Sequence, residues 1–242
     1  MNLSQRPQLK RDPVGGTGAD VTRNPDSAAP PTGARYTLTL VAGSVMLLAW
    51  ITPLVAQAPG GCNTPVSQRT SEVGCYFTAS EDLGVVPDQG VFWHLHNYPT
   101  RAAAEAAKGP HGTVTESFGR FWLYSIAAER WRPLTGERVA VIGPLPVTAG
   151  KHYSARYMEA VFTPGIHSLT HRHSGPEAWY VLSGAQCLET SEGIIVARAG
   201  EGAVVREGPA MRIQSIGNET RRSVLLISWC EESPLACRLT SA

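Results

Sequence analysis

The chain has 242 residues, of which 43% are hydrophobic and 17% charged, so wholesale disorder is excluded and a sizeable core is affordable in one or two domains. Its formal net charge is +1, which leaves no basic excess of the kind a nucleic-acid binder needs. Frequent Gly (24) and Pro (18) fit many short strands joined by turns.

Residues 1–36 are polar, without hydrophobic period, and read as disordered or as sequence upstream of the true start. Residues 37–58 are apolar, and no charge occurs between Arg35 and Arg69. The run Leu38 to Ile51 is short for a membrane span and suits the apolar region of a signal peptide. Leu54-Val55-Ala56 and Ala56-Gln57-Ala58 are both cleavage candidates, and Pro59 disfavours the second. An uncleaved single-span anchor and a buried core helix are the alternatives. Either export reading places residues 59–242 outside the cytoplasm, with membrane contact only through 37–58 if uncleaved. That compartment permits disulfides. Cys62 and Cys75 flank one short loop and Cys230 and Cys237 another, so local pairing is the economical reading, with Cys187 left over.

Residues 59–90 read as a linker or arm, with weak strand signal at Cys75–Thr78. Val91–Tyr98 alternates as a strand, with Val91, Trp93 and Leu95 on one face and Phe92, His94, His96 and Tyr98 on the other. Arg101–Lys108 is an alanine-rich helix, and Thr113–Ser117 with Arg120–Ala127 make a hairpin about Phe118-Gly119. Residues 91–135 thus form a small α+β N-terminal subdomain. His94 and His96 read as strand histidines on a half-exposed face, since no carboxylate follows at turn distance.

From Arg138 onward the chain is strands and turns. Val139–Ile142, Ala155–Phe162, Trp179–Leu182, Gln186–Thr190, Ile194–Arg198, Ala203–Arg206, Ile213–Ile216 and Ser223–Trp229 are the expected strands, spanning a barrel over 138–232.

Within it, Gly165 to Gly184 carries the chemistry. His171 and His173 share one face of an extended strand, and the turn cluster Ser174-Gly175-Pro176 can bring Glu177 back to them. Two imidazoles and a carboxylate suit a divalent transition metal (Fe, Mn, Zn or Ni) with positions left open. Gly165, His171, His173, Glu177 and Gly184 resemble, place for place, the first motif of the cupin superfamily. The second motif is matched at Gly200 and Gly208, while Arg206, Met211 and Ser215 stand where the family has Pro, His and Asn. Met211 therefore occupies the place of the fourth ligand, and a thioether is a soft, weak one.

The resemblance implies an all-β, cupin-type jelly-roll barrel, with pairing as a homodimer one assembly to expect. It implies two classes of function. One is an exported metal-dependent enzyme, dioxygenase- or isomerase-like, on a small organic molecule. The other is a non-catalytic module that binds or senses a small ligand without a functional metal. Met211, Trp179 and Tyr180 are the candidates for lining the ligand space, with core packing the preferred reading for each.

Overall fold

The computed structural model describes residues 62–86 and 90–230. The disordered stretch expected at 1–36, the apolar stretch at 37–58 and Cys237 lie outside the described residues. No helix among the described residues is long and apolar enough to cross a membrane.

Strands β1 (Gly74–Val85), β6 (His152–Phe162), β12 (Arg221–Cys230), β7 (Glu177–Ser183) and β10 (Gly202–Val205) form a five-stranded sheet in that spatial order. Strands β11 (Met211–Ile216), β8 (Ala185–Thr190) and β9 (Gly193–Arg198) form a second sheet. The chain crosses between these two sheets repeatedly from β7 to β12, which is the jelly-roll pattern. A third sheet takes β3 (Gly112–Ser117), β4 (Arg120–Ala128), β2 (Val91–Tyr98) and β5 (Glu137–Leu145), with the helix α1 (Arg101–Ala106) after β2. Thr100 caps α1, its hydroxyl oxygen accepting from the Ala103 amide at 3.1 Å.

The five-stranded sheet is the middle layer. Along β12, Val224, Leu226 and Cys230 pack with Trp93, Trp122 and Tyr124 of the third sheet. The intervening Leu225 and Ile227 pack with Leu188, Met211 and Ile213 inside the barrel. A strand buried on both faces reads as a continuous apolar run, as Val224–Ile227 does. Period 2 assigns alternate side chains to two different cores.

Every strand expected from 138 onward is present, but the domain limits shift. The first of them, β5, pairs with β2 and belongs to the third sheet rather than to the barrel. That sheet is a layer sharing a core with the barrel, not a subdomain in front of it. The expected linker 59–90 contains β1, paired with β6 over its length. Its alternation was illegible because register shifts at Phe77/Ala79 and Asp82/Gly84 break the period. Ahead of β1, a disulfide joins Cys62 to Cys75, as local pairing suggests. The segment it anchors lies along the β1 edge, bridged in parallel at Pro65 and Phe77, and Arg69 reaches the buried Glu159. Cys187 is a half-buried thiol.

Candidate metal centre

His171 and His173 lie on the segment that enters β7, and Glu177 is the first residue of that strand. Two backbone contacts hold the segment. His171 and Met211 exchange both main-chain hydrogen bonds, at 3.0 and 2.9 Å. The Gly208 amide donates to the His173 carbonyl at 3.2 Å. The intervening turn passes against β12 at Gly175, where a Cβ would collide with the Ser228 carbonyl. Only glycine lets the chain approach so closely.

The ligand atoms of His171, His173 and Glu177 all lie within 4.8 Å of one another. His173 Nε2 is 2.8 Å from Glu177 Oε2. The two imidazole rings meet edge to face, with centroids 4.8 Å apart. His171 Nδ1 is 2.8 Å from the Leu169 carbonyl, which can only accept, so in the neutral ring Nδ1 carries the proton and Nε2 the lone pair. Glu177 is 2% exposed and shares its face of β7 with Trp179 and Val181, inside the barrel. Neither nitrogen of His173, nor Glu177 Oε2, has a hydrogen-bond partner of good geometry, although all three atoms are buried. Buried polar atoms left without partners are costly, and a cation shared among them would satisfy the set. The donor set therefore fits a divalent transition metal.

The remaining candidates are placed differently. Met211 is 2% exposed and sits in the barrel core, beside His171 through the backbone pairing. Trp179 is wholly buried in the same core. Tyr180 points to the opposite face of β7 and packs in the layer shared with the third sheet, away from the three ligands. Gly184, which closes the motif, has φ +68°, and a Cβ there would meet the Arg221 backbone at 2.9 Å. It lets the β7–β8 turn fold tightly against β12.

Three residues near the ligands were not singled out in the sequence. Trp229 packs its ring edgewise on His173 at 5.9 Å, and Arg156 lies over the Trp229 ring at 5.9 Å. Arg221, wholly buried in the barrel, donates to Gln186 Oε1 at 2.7 Å, and burial pulls its guanidinium down to about 9 against the raising effect of Glu177. Burying a cation in an otherwise apolar strand leaves no periodic signature. For Arg156 a signal existed, because it falls on the barrel-facing register of Ala155–Phe162.

No protein-family model and no curated protein matches the chain. Solved structures similar to it include an RmlC-like cupin of Methanocaldococcus jannaschii with a double-stranded β-helix fold (14% identity, 31% of this chain and 71% of that one, TM-score 0.30). Others are a cupin superfamily protein of Desulfitobacterium hafniense (10% identity, 35% and 73%, TM-score 0.29) and a cupin 2 conserved barrel domain protein of Salinispora arenicola (18% identity, 41% and 79%, TM-score 0.28). At these identities no residue role is carried over from them. What decides the assignment is the double-sheet crossing pattern, with the Gly-His-His-Glu-Gly stretch leading into β7 and through it to the β7–β8 turn. The fold is a cupin barrel.

The second His pair lies outside the cupin barrel's interior, on the far face of the third sheet. His94 and His96 are 0% and 2% exposed, not half-exposed as the alternation suggests, because the Trp131 ring covers both at 5.3 and 6.0 Å. Burial lowers both imidazoles, with His96 reaching about 4 under the further influence of His94, Arg132 and Arg138. Arg132 and Arg138 also oppose a cation between these rings. The folded protein thus keeps His96 neutral where the unfolded chain begins to protonate below its ordinary value near 6.5. The unfolded state binds more protons there, so stability falls as pH drops from 6.5 toward about 4. In denaturant melts across this window, His96→Phe is expected to flatten the acid limb. An unchanged limb would show that other groups produce it.

Proposed function

We propose that this chain is an exported cupin whose His171, His173 and Glu177 hold a divalent transition metal, and that it acts as a metal-dependent enzyme on a small organic molecule. The observation that carries the reading is three residues whose ligand atoms lie within 4.8 Å of one another, those of His173 and Glu177 being buried without hydrogen-bond partners of good geometry. His171 and His173 would supply neutral imidazoles and Glu177 a carboxylate, the last two in a setting too dry to leave them unpaired without cost. When bound, the ion supplies Lewis acidity and open positions for a chelating substrate of the dioxygenase or isomerase type. The protein's own part is to orient the ligands. The Leu169 carbonyl fixes the His171 tautomer, the Gly175 turn sets the Glu177 approach, and the apolar barrel excludes water behind them. Export is supported by the apolar stretch at 37–58 and by the Cys62–Cys75 disulfide, which suits an oxidising compartment.

The other reading, a non-catalytic ligand-binding module, draws its support from Met211. An apolar, core-packed side chain stands where a fourth ligand is expected. Elemental analysis of the purified full chain, with a His171→Ala/His173→Ala control, separates the two. The enzyme reading expects metal near one equivalent per chain, lost in the control. A folded wild-type chain without metal after loading would leave the binding module.

A further inference from the structure

Arg156, Ile227 and Glu177 stand side by side on three adjacent strands, β6, β12 and β7. Two strand spacings separate the backbones of Arg156 and Glu177, about 10 Å. Arg156 shares the barrel-facing side of β6 with Met158 and Ala160, so both side chains open toward the same space. The guanidinium is held between two rings, 5.0 Å from the Phe77 centroid and 5.9 Å from the Trp229 centroid. Trp229 in turn touches His173. The cation is thus fixed beside the ligand set by stacking, a mode suited to guanidinium because its edge nitrogens stay free.

Those nitrogens have no acid to meet. Among the described residues Arg156 makes no ion pair. Glu159, on its own strand, faces the other side and binds Arg69 and Ser117. Asp82, on β1, pairs with His152 at 3.3 Å. Glu177 is engaged with His173. The neighbouring Trp229 Nε1 is a second donor, buried and without an acceptor. Two donors, one of them charged, border the candidate metal centre and lack acceptors.

We propose that Arg156 and Trp229 form an anion subsite, and that the small molecule this barrel takes carries a carboxylate. The carboxylate meets the Arg156 guanidinium while the rest of the molecule faces His171, His173 and Glu177. Its position beside a metal rests on the reading above; the anion subsite itself rests on Arg156 and Trp229. The subsite narrows the substrate class from small organic molecules to small organic acids.

The test is pyruvate binding to the full chain, followed by saturation-transfer NMR in cobalt(II)-loaded and metal-free protein, with uncharged methyl pyruvate as comparison. Pyruvate is expected to bind, and the ester to bind at least roughly tenfold more weakly, the scale of one charge-assisted contact. Arg156→Gln is expected to remove that preference, Arg156→Lys to restore part of it, and Arg222→Gln, at the exposed start of β12, to leave it intact. Thermal melts confirm that each variant is folded. Should Arg156→Gln unfold the chain, Trp229→Phe, which keeps the stack and deletes the donor, is expected to weaken pyruvate binding instead. Absence of pyruvate binding, equal binding of acid and ester, or a folded Arg156→Gln chain that keeps the preference overturns the subsite. If cobalt fails to bind, the metal reading falls, and the metal-free titration decides the subsite by the same outcomes.

Discussion

Glu177→Met is expected to abolish metal binding and, separately, to lower the stability of the metal-free protein. Loss of residues that merely support a ligand costs roughly 10–100-fold in metal affinity, so loss of the ligand itself should exceed about a hundredfold. The stability change has a separate cause. Glu177 is 2% exposed among Trp179, Val181 and Ile227, with His173 as its immediate partner at 2.8 Å. Its carboxylate also offsets the burial of the Arg221 guanidinium, and taking away one partner leaves that buried cation less compensated, which costs stability. Wild-type protein should gain about 2.7 kcal/mol from metal at a hundred times its Kd, and Glu177→Met should gain nothing. Urea melts with and without metal measure both terms. A variant that is destabilised by some kcal/mol without metal, yet still responds to it, would mean that Glu177 is a structural carboxylate.

Trp179→Ala is expected to cost about 3–5 kcal/mol in the same melts, the usual range for deleting a buried indole. Trp179 is wholly buried among Met158, Leu188 and Leu225, between the two sheets of the barrel. The other reading the sequence leaves open, a residue lining the ligand space, predicts a small stability change and a large change in ligand binding. Tyr180, on the other face of the same strand, serves as the internal comparison, because it packs at the edge of a different core. A loss below about 1 kcal/mol for Trp179→Ala would mean that the barrel around it is open and hydrated.

How much of this was legible in the chain depends on period. The strands from β6 to β12 were visible because each is short, apolar and bounded by Gly or Pro turns. The three ligands were visible because their spacing and the Ser174-Gly175-Pro176 turn are local. The hidden parts depend on contacts distant in sequence. β1 carries bulges that spoil its alternation, and its partner β6 begins 67 residues beyond Val85, at His152. β5 carries the same signals as a barrel strand, and only its pairing with β2 assigns it to the third sheet. His94 and His96 looked half-exposed because Trp131, which covers them, lies in a loop with no periodic link to β2. Arg156 was invisible as a neighbour of Glu177 because the two meet only across β12.

The middle sheet has a consequence for how this molecule can change. β12 is in effect two interleaved messages. One set of alternate letters, including Ile227 and Trp229, is read beside the ligands, and the other, including Val224 and Leu226, is read by the scaffold behind. Each set can drift with little edit to the other, so chemistry could be retuned without re-inventing the support. A single inserted residue within the strand would transpose the two messages and garble both.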